Sequence, residues 1–162
     1  IHKIKNINPD YNFTNKKNEN KILYIKELNQ IFEKLYQNKY ISKNIENVIS
    51  KKINNINFIY LIAQNYPNKS LKNFIDEQKQ KFPEKCVSMI ISKEENKLSI
   101  VLGVSEDIIN QFDASQEVKE ISIMLGGKGG GGRKDLAQGG GSDISHLGEC
   151  LQYIENKLNK IN

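Results

Sequence analysis

The apolar positions of this chain change their period partway along it. Ile22, Ile25, Leu28, Ile31, Phe32, Leu35 and Tyr36 recur at spacings of three and four, which predicts an amphipathic helix from Lys21 to about Asn38. Ile41, Ile45, Val48, Ile49 and Ile53 keep that spacing and predict a second helix, folded back as a hairpin or extended as a stalk. Residues 1–20 are polar, rich in Asn and Lys and broken by Pro9. Such a stretch buries too little apolar surface to offset the entropy of ordering, and it reads as a flexible tail or linker.

Beyond Ile53 the pattern shortens. Phe58 to Ile62 form one apolar run, a buried strand over 57–64 closed by the turn signal Tyr66-Pro67-Asn68. A helix is expected over 70–81, with Leu71, Phe74 and Ile75 inward and Pro83 beyond its end. Two apolar strands over 86–92 and 97–104 flank the polar loop Lys93-Glu94-Glu95-Asn96. Ser105 is expected to cap a short helix through Phe112, with Glu106 and Asp107 at its positive end. Val118, Ile121 and Met124 or Leu125 share one face of a helix over 115–125. A closing helix from Asp143 to about Asn159 puts Ile144, Leu147, Leu151, Ile154 and Leu158 on one stripe.

The expected organisation is therefore a tail over 1–20, a helical subdomain over 21–52 and a globular domain over 53–162. The fold class is α/β, with α+β as the alternative: a helical arm, then a short sheet covered by helices and carrying a Gly-rich loop.

That loop holds the candidate chemistry. Nine of the eleven glycines lie between Gly126 and Gly141. Glycine loses more backbone entropy on folding than any other residue, so this density implies positive φ or very close backbone approach. Successive N–H groups without β-carbons can converge on an anion, and Lys128, Arg133 and Lys134 add three cations beside them. Arg133 suits a bidentate grip on phosphate, Lys128 a point charge, and Gln138 a base edge or ribose hydroxyl. The alternative, a disordered glycine linker, fits poorly with two patterned flanking helices and with the embedded Arg-Lys-Asp and Ala-Gln. The loop follows a helix and lacks Lys-Ser or Lys-Thr after its last glycine, so it is not a nucleoside-triphosphate P-loop.

Composition changes this picture little. The net charge of +5 and pI near 9.0 favour polyanions only weakly. Heavy use of Asn, Lys and Ile points to AT-rich coding, which discounts the Lys count. Cys86 and Cys150 stand far apart with no CxxC spacing, against a zinc site or disulfide framework and for a reducing compartment. No run of about 18 apolar residues is present to span a bilayer. Opening at Ile1 rather than Met reads as a piece of a longer protein.

Gly-Gly-Lys-Gly-Gly-Gly followed by Arg133, Asp135, Ala137-Gln138 and the further Gly139-Gly140 resembles the signature loop of the C-terminal, DHH-associated (C-Ala) domain of alanyl-tRNA synthetase. The resemblance runs from about Asn57 to the C-terminus and includes the order of elements before the loop; 22–52 resembles the family's helical arm by pattern alone. The family loop usually has three glycines before the Arg and a Pro after it, where this chain has four, Gly129 to Gly132, and Lys134. The resemblance implies a domain that recognises the outer corner of tRNA, where the D and T loops meet, and couples aminoacylation to editing of mischarged tRNA. It also implies homodimerisation and contact with the other domains of an alanine-tRNA ligase. The RNA-binding positions carried over or read beside them are Gly126, Gly127, Lys128, Gly129, Gly130, Gly131, Gly132, Arg133, Lys134, Gln138, Gly139 and Gly140. ATP, Mg and Zn belong to the remainder of such a parent, and no cofactor is expected in this piece. Cytoplasmic residence is expected, or an organelle if a targeting peptide preceded the parent.

No catalytic or metal-ligating residue is expected. Ser142, Ser145 and His146 resemble a nucleophile arrangement only superficially, because adjacent residues on one helix point different ways and no orienting carboxylate is evident, so His146 reads as a surface or boundary residue. Glu94-Glu95 and Glu106-Asp107 read as solvated loop and cap groups. The helical stripe Ile22 to Tyr36 reads first as core and second as a dimer seam, and the tyrosines as structural before stacking platforms. Two other classes remain open: the substrate-binding half of a DHH-type phosphoesterase, which needs an Asp-His-His domain upstream, and a purely structural dimerisation domain.

Overall fold

The structure, a computed structural model, describes residues 26–28, 30, 31 and 47–161. Residues 26–28, 30 and 31 are helical, within the first helix expected. The expected tail and most of the two-helix arm lie outside the described residues.

The domain is built on one six-stranded sheet in the order β1-β2-β3-β4-β6-β5, comprising β1 (Ile49–Ile53), β2 (Ile56–Gln64), β3 (Cys86–Glu94), β4 (Lys97–Val104), β5 (Gly130–Gly132) and β6 (Leu136–Gly141). All neighbours are antiparallel except β2 and β3, whose parallel pairing is bridged by α1 (Leu71–Lys81). Two further helices follow, α2 (Ala114–Met124) and α3 (Leu147–Leu158).

Strand alternation divides the core into two layers. Phe58, Tyr60, Val87, Met89, Ile91, Ile100 and Leu102 face α2 and α3, where Val118, Ile121, Cys150, Ile154 and Leu158 cover them. Ile59, Leu61, Ile90 and Val101 face the other way, onto Leu71, Phe74 and Ile75 of α1. Both faces of the central strands are thus dry, which explains why β2 and β3 read as near-continuous apolar runs. The mixed α/β class expected from the pattern is the class observed.

Several local expectations are corrected. Ile49 to Ile53, expected to be helical and largely assigned to the arm, form an edge strand that pairs with β2. Its hairpin turn uses Asn54 and Asn55, both at positive φ (46° and 64°), a conformation Asn tolerates better than most residues. The helix expected after Ser105 is one 3-10 turn, Glu106–Ile108. The Ser105 hydroxyl instead accepts from the Cys86 N–H at 2.9 Å, and Asp107 takes the Lys85 N–H. Asp113, unforeseen, caps α2 by accepting from Ser115 N at 2.9 Å. The final helix starts at Leu147, not Asp143, because Asp143 folds back to accept from Ser145 N. Its buried stripe is Cys150, Ile154 and Leu158, with Leu147 and Leu151 at the margin.

Candidate nucleic-acid interface

The segment expected as a phosphate-cradling loop is a β-hairpin. Gly130 pairs with Gly139, Gly131 with Gln138 and Gly132 with Ala137, and β6 pairs in turn with β4. The glycines divide by what surrounds them. Gly126, at φ +73°, and Gly127 close α2: their N–H groups donate to the carbonyls of Ile123 and Ser122, at 3.0 and 2.7 Å, the reciprocal pattern of a Schellman cap. Gly129 N–H meets the Ser122 hydroxyl at 3.2 Å. These N–H groups point into the fold, and the expected anion-binding concavity of converging amides does not form from them.

A second group lets α2 approach the hairpin closely. A β-carbon on Gly130 would stand 2.6 Å from the Gln138 carbonyl oxygen and 3.1 Å from Val118, and one on Gly139 3.2 Å from Ser122 Cβ. Ser122 is fully buried, and its single proton serves the Gly129 carbonyl at 2.9 Å or that of Gly140.

Among the described residues, nothing covers the opposite face of the hairpin. Leu61, Ile90, Val101, Gln138 and Gly131 lie in register across five strands. α1 buries the row as far as Val101, whereas Gln138 is exposed and a β-carbon on Gly131 would meet nothing within 4 Å. The uncovered end of the sheet forms two adjoining depressions of about 200 and 380 Å³. Gly129, Gly130, Gly131, Gly132, Arg133, Gln138 and Gly139 contribute to their walls. Gly126, Gly127, Lys128, Lys134 and Gly140 do not, although Lys128 and Lys134 are exposed nearby in sequence. Residues that sequence reasoning missed also line the walls: Asn68 in the 3-10 turn before α1, Lys72 in its first turn, and Ser99 on β4. Only the fold, which sets α1 beside β4, carries the signal for Lys72.

At the hairpin tip Arg133 is 74% exposed and already paired. Its Nε donates to Asp135 Oδ1 at 2.9 Å and its Nη2 to Oδ2 at 3.1 Å. These bonds, assisted by Lys79, hold the Asp135 carboxyl at about 2, well under its usual range. The Lys134 carbonyl accepts from Ala114 N and that of Asp135 from Val104 N, both at 2.9 Å, so the tip is tied to β4 and α2.

The other candidates are dispersed. His146 is exposed, with Nδ1 3.2 Å from Glu149, while Ser142 donates to the Gly126 carbonyl. Among the described residues no three His, Cys, Asp or Glu side chains gather into a metal-holding group. Cys86 and Cys150 are both buried, and they lie in the opposite core layers.

Known proteins share this architecture. The DHHA1 domain model matches residues 55–160. Alanine–tRNA ligase of Rickettsia bellii is 34% identical over 149 residues, covering 88% of this chain and 17% of that protein. Its counterpart in Rhodopseudomonas palustris is 41% identical over 86 residues, 53% of this chain and 10% of that protein. This chain therefore spans less than a fifth of the length of those curated relatives. The C-Ala domain from Aquifex aeolicus alanyl-tRNA synthetase matches with a TM-score of 0.64 and 30% identity, over 68% of this chain and 98% of that one. With the family match spanning β2 to β6, the three helices and the hairpin, and the solved domain covered almost end to end, the chain belongs to the DHHA1 domain family as a domain of the alanyl-tRNA synthetase C-Ala type.

Proposed function

We propose that this domain binds tRNA as the C-terminal module of an alanine-tRNA ligase, gripping the outer corner of the folded molecule with the bare face of the glycine hairpin. The observation that carries this reading is the uncovered end of the sheet. Gly129 to Gly132 and Gly139 make up much of its floor beside Val101 and Leu136, Gln138 stands on it, and Lys72 and Arg133 line it, with Lys128 exposed just before Gly129. A floor of peptide planes admits close approach of a bulky, rigid surface, and the cations at its edge suit phosphates. Recognition by backbone and shape fits structured RNA, whose deep groove admits no side chains.

In the parent, the same grip would couple aminoacylation with editing by holding the tRNA body while its end moves between sites. Homodimerisation through the arm is part of the proposal, as are contact with the other synthetase domains, cytoplasmic residence, and ATP, Mg and Zn bound elsewhere in that parent.

Titration of the chain against alanine tRNA, a second tRNA and a plain RNA duplex, at two salt concentrations, tests the reading. Folded tRNAs should bind more tightly than duplex, with little difference between the two tRNAs. Arg133→Ala should weaken binding and reduce the salt slope by about one unit if the side chain meets one phosphate. No binding at low salt, or equal affinity for duplex, would overturn corner recognition. A monomer in sedimentation would overturn dimerisation alone.

A further inference from the structure

Asp135 is held between cations from two separate elements. Arg133 grips both of its carboxylate oxygens, and Lys79, in the last turn of α1, places Nζ 3.6 Å from Oδ2. Lys79 also donates to the Asp135 carbonyl oxygen at 3.5 Å, and that oxygen accepts from Val104 as well. The carboxylate therefore has a fixed seat, while the guanidinium it holds is largely in solvent beside the glycine face.

The edge used matters. Bonds from Nε and Nη2 occupy the side edge of the guanidinium and leave three of its five N–H donors unused by Asp135, of which one on Nη1 and one on Nη2 form the end edge. A phosphate can take that end edge without displacing the carboxylate. Without Asp135 the long side chain would sample many rotamers and lose that freedom on binding.

We propose that Asp135 is a positioning residue for RNA: it clamps the side edge of Arg133 so that the end edge stands ready for a phosphate, and Lys79 fixes Asp135 in turn. The proposal rests on the reading that the bare glycine face takes RNA. It also sets orientation against bulk charge, since an acidic residue beside a phosphate-binding arginine would, by charge alone, only weaken binding.

The test is the affinity of the full chain for folded alanine tRNA at two salt concentrations, for wild type, Arg133→Ala, Asp135→Ala and the double variant, with a melting curve for each. Asp135→Ala should bind about threefold to tenfold more weakly, the scale of one compromised charge-assisted hydrogen bond, although it makes the chain more positive. In the Arg133→Ala background the same change should cause no further loss. Asp135→Asn keeps one acceptor oxygen for Arg133 and should fall between wild type and Asp135→Ala. Equal or tighter binding by Asp135→Ala would overturn the proposal, as would equal losses in both backgrounds, which assign Asp135 to folding alone. An unchanged affinity for Arg133→Ala would overturn it too, yet preference for tRNA over duplex would still uphold RNA binding by the face.

Discussion

The buried hydroxyl of Ser122 reaches from α2 to the carbonyl oxygen of Gly140 on β6, across a gap too narrow for side chains on the hairpin. It also meets the N–H and carbonyl of Gly129, so one serine joins both ends of the glycine segment to the helix. Ser122→Ala strands these buried polar groups and should destabilise the fold by about 1–3 kcal/mol. A urea unfolding curve checks this, with a lower midpoint and an unchanged slope expected. A midpoint equal to wild type would show that the contact contributes nothing.

Neighbouring glycines should respond oppositely to the same substitution. A β-carbon on Gly130 would press on backbone and on Val118, whereas on Gly131 it would enter open space at an ordinary φ. Gly130→Ala should lose about 1–3 kcal/mol through overpacking, and Gly131→Ala should stay within about 0.5 kcal/mol of wild type. Thermal unfolding of the two variants decides it; equal losses would contradict the assignment of one hairpin face to α2 and the other to solvent.

Acid should weaken the tip of the hairpin first. The Asp135 carboxyl is held at about 2 against an ordinary 3.8, so it binds its proton less readily folded than unfolded. Its contribution is therefore complete above the ordinary value and is lost as pH falls from about 4 towards 2. The stability difference between wild type and Asp135→Asn should shrink across that window. A difference that is constant with pH would contradict the ion pair. High salt should shrink it as well, because Arg133 is exposed.

Both thiols should be silent in the folded chain. Burial pushes Cys86 and Cys150 up to about 11 from an ordinary 9.0, and neither is accessible to solvent. A thiol reagent at pH 8 should react only as fast as the chain opens, with urea accelerating both sites. Rapid labelling of either residue in buffer would contradict the packing of its core layer.

What could be read in the sequence followed burial. β2, β3, β4 and the inner faces of α1 and α2 were legible because their side chains alternate or recur against two dry layers. β1 was not: as an edge strand exposed on nearly every residue, it shows no alternation, and Ile49 and Ile53 happen to stand at helical spacing. β5 and most of β6 were hidden because glycine carries no side chain to betray a period. The special character of the glycine segment was plain, but its cause was only half legible. Close backbone approach was expected, yet the partner is α2 as well as any ligand, which depends on Val118 and Ser122 packing from a helix. Arg133 and Gln138 were readable as polar groups in a glycine stretch. Lys72 was not, since it reaches the site only because α1 lies across β4. Asp135 stood out only as part of the glycine motif; its seat between Arg133 and Lys79 was not legible, since Lys79 reaches it from a separate helix.

Amide hydrogen exchange of the full chain, with and without folded alanine tRNA, tests the central claim most directly. The account predicts slower exchange at 68–72, 129–133 and 137–140, with α3 unchanged. Protection confined to α2 and α3, with the glycine hairpin exchanging as it does in the free chain, would contradict it.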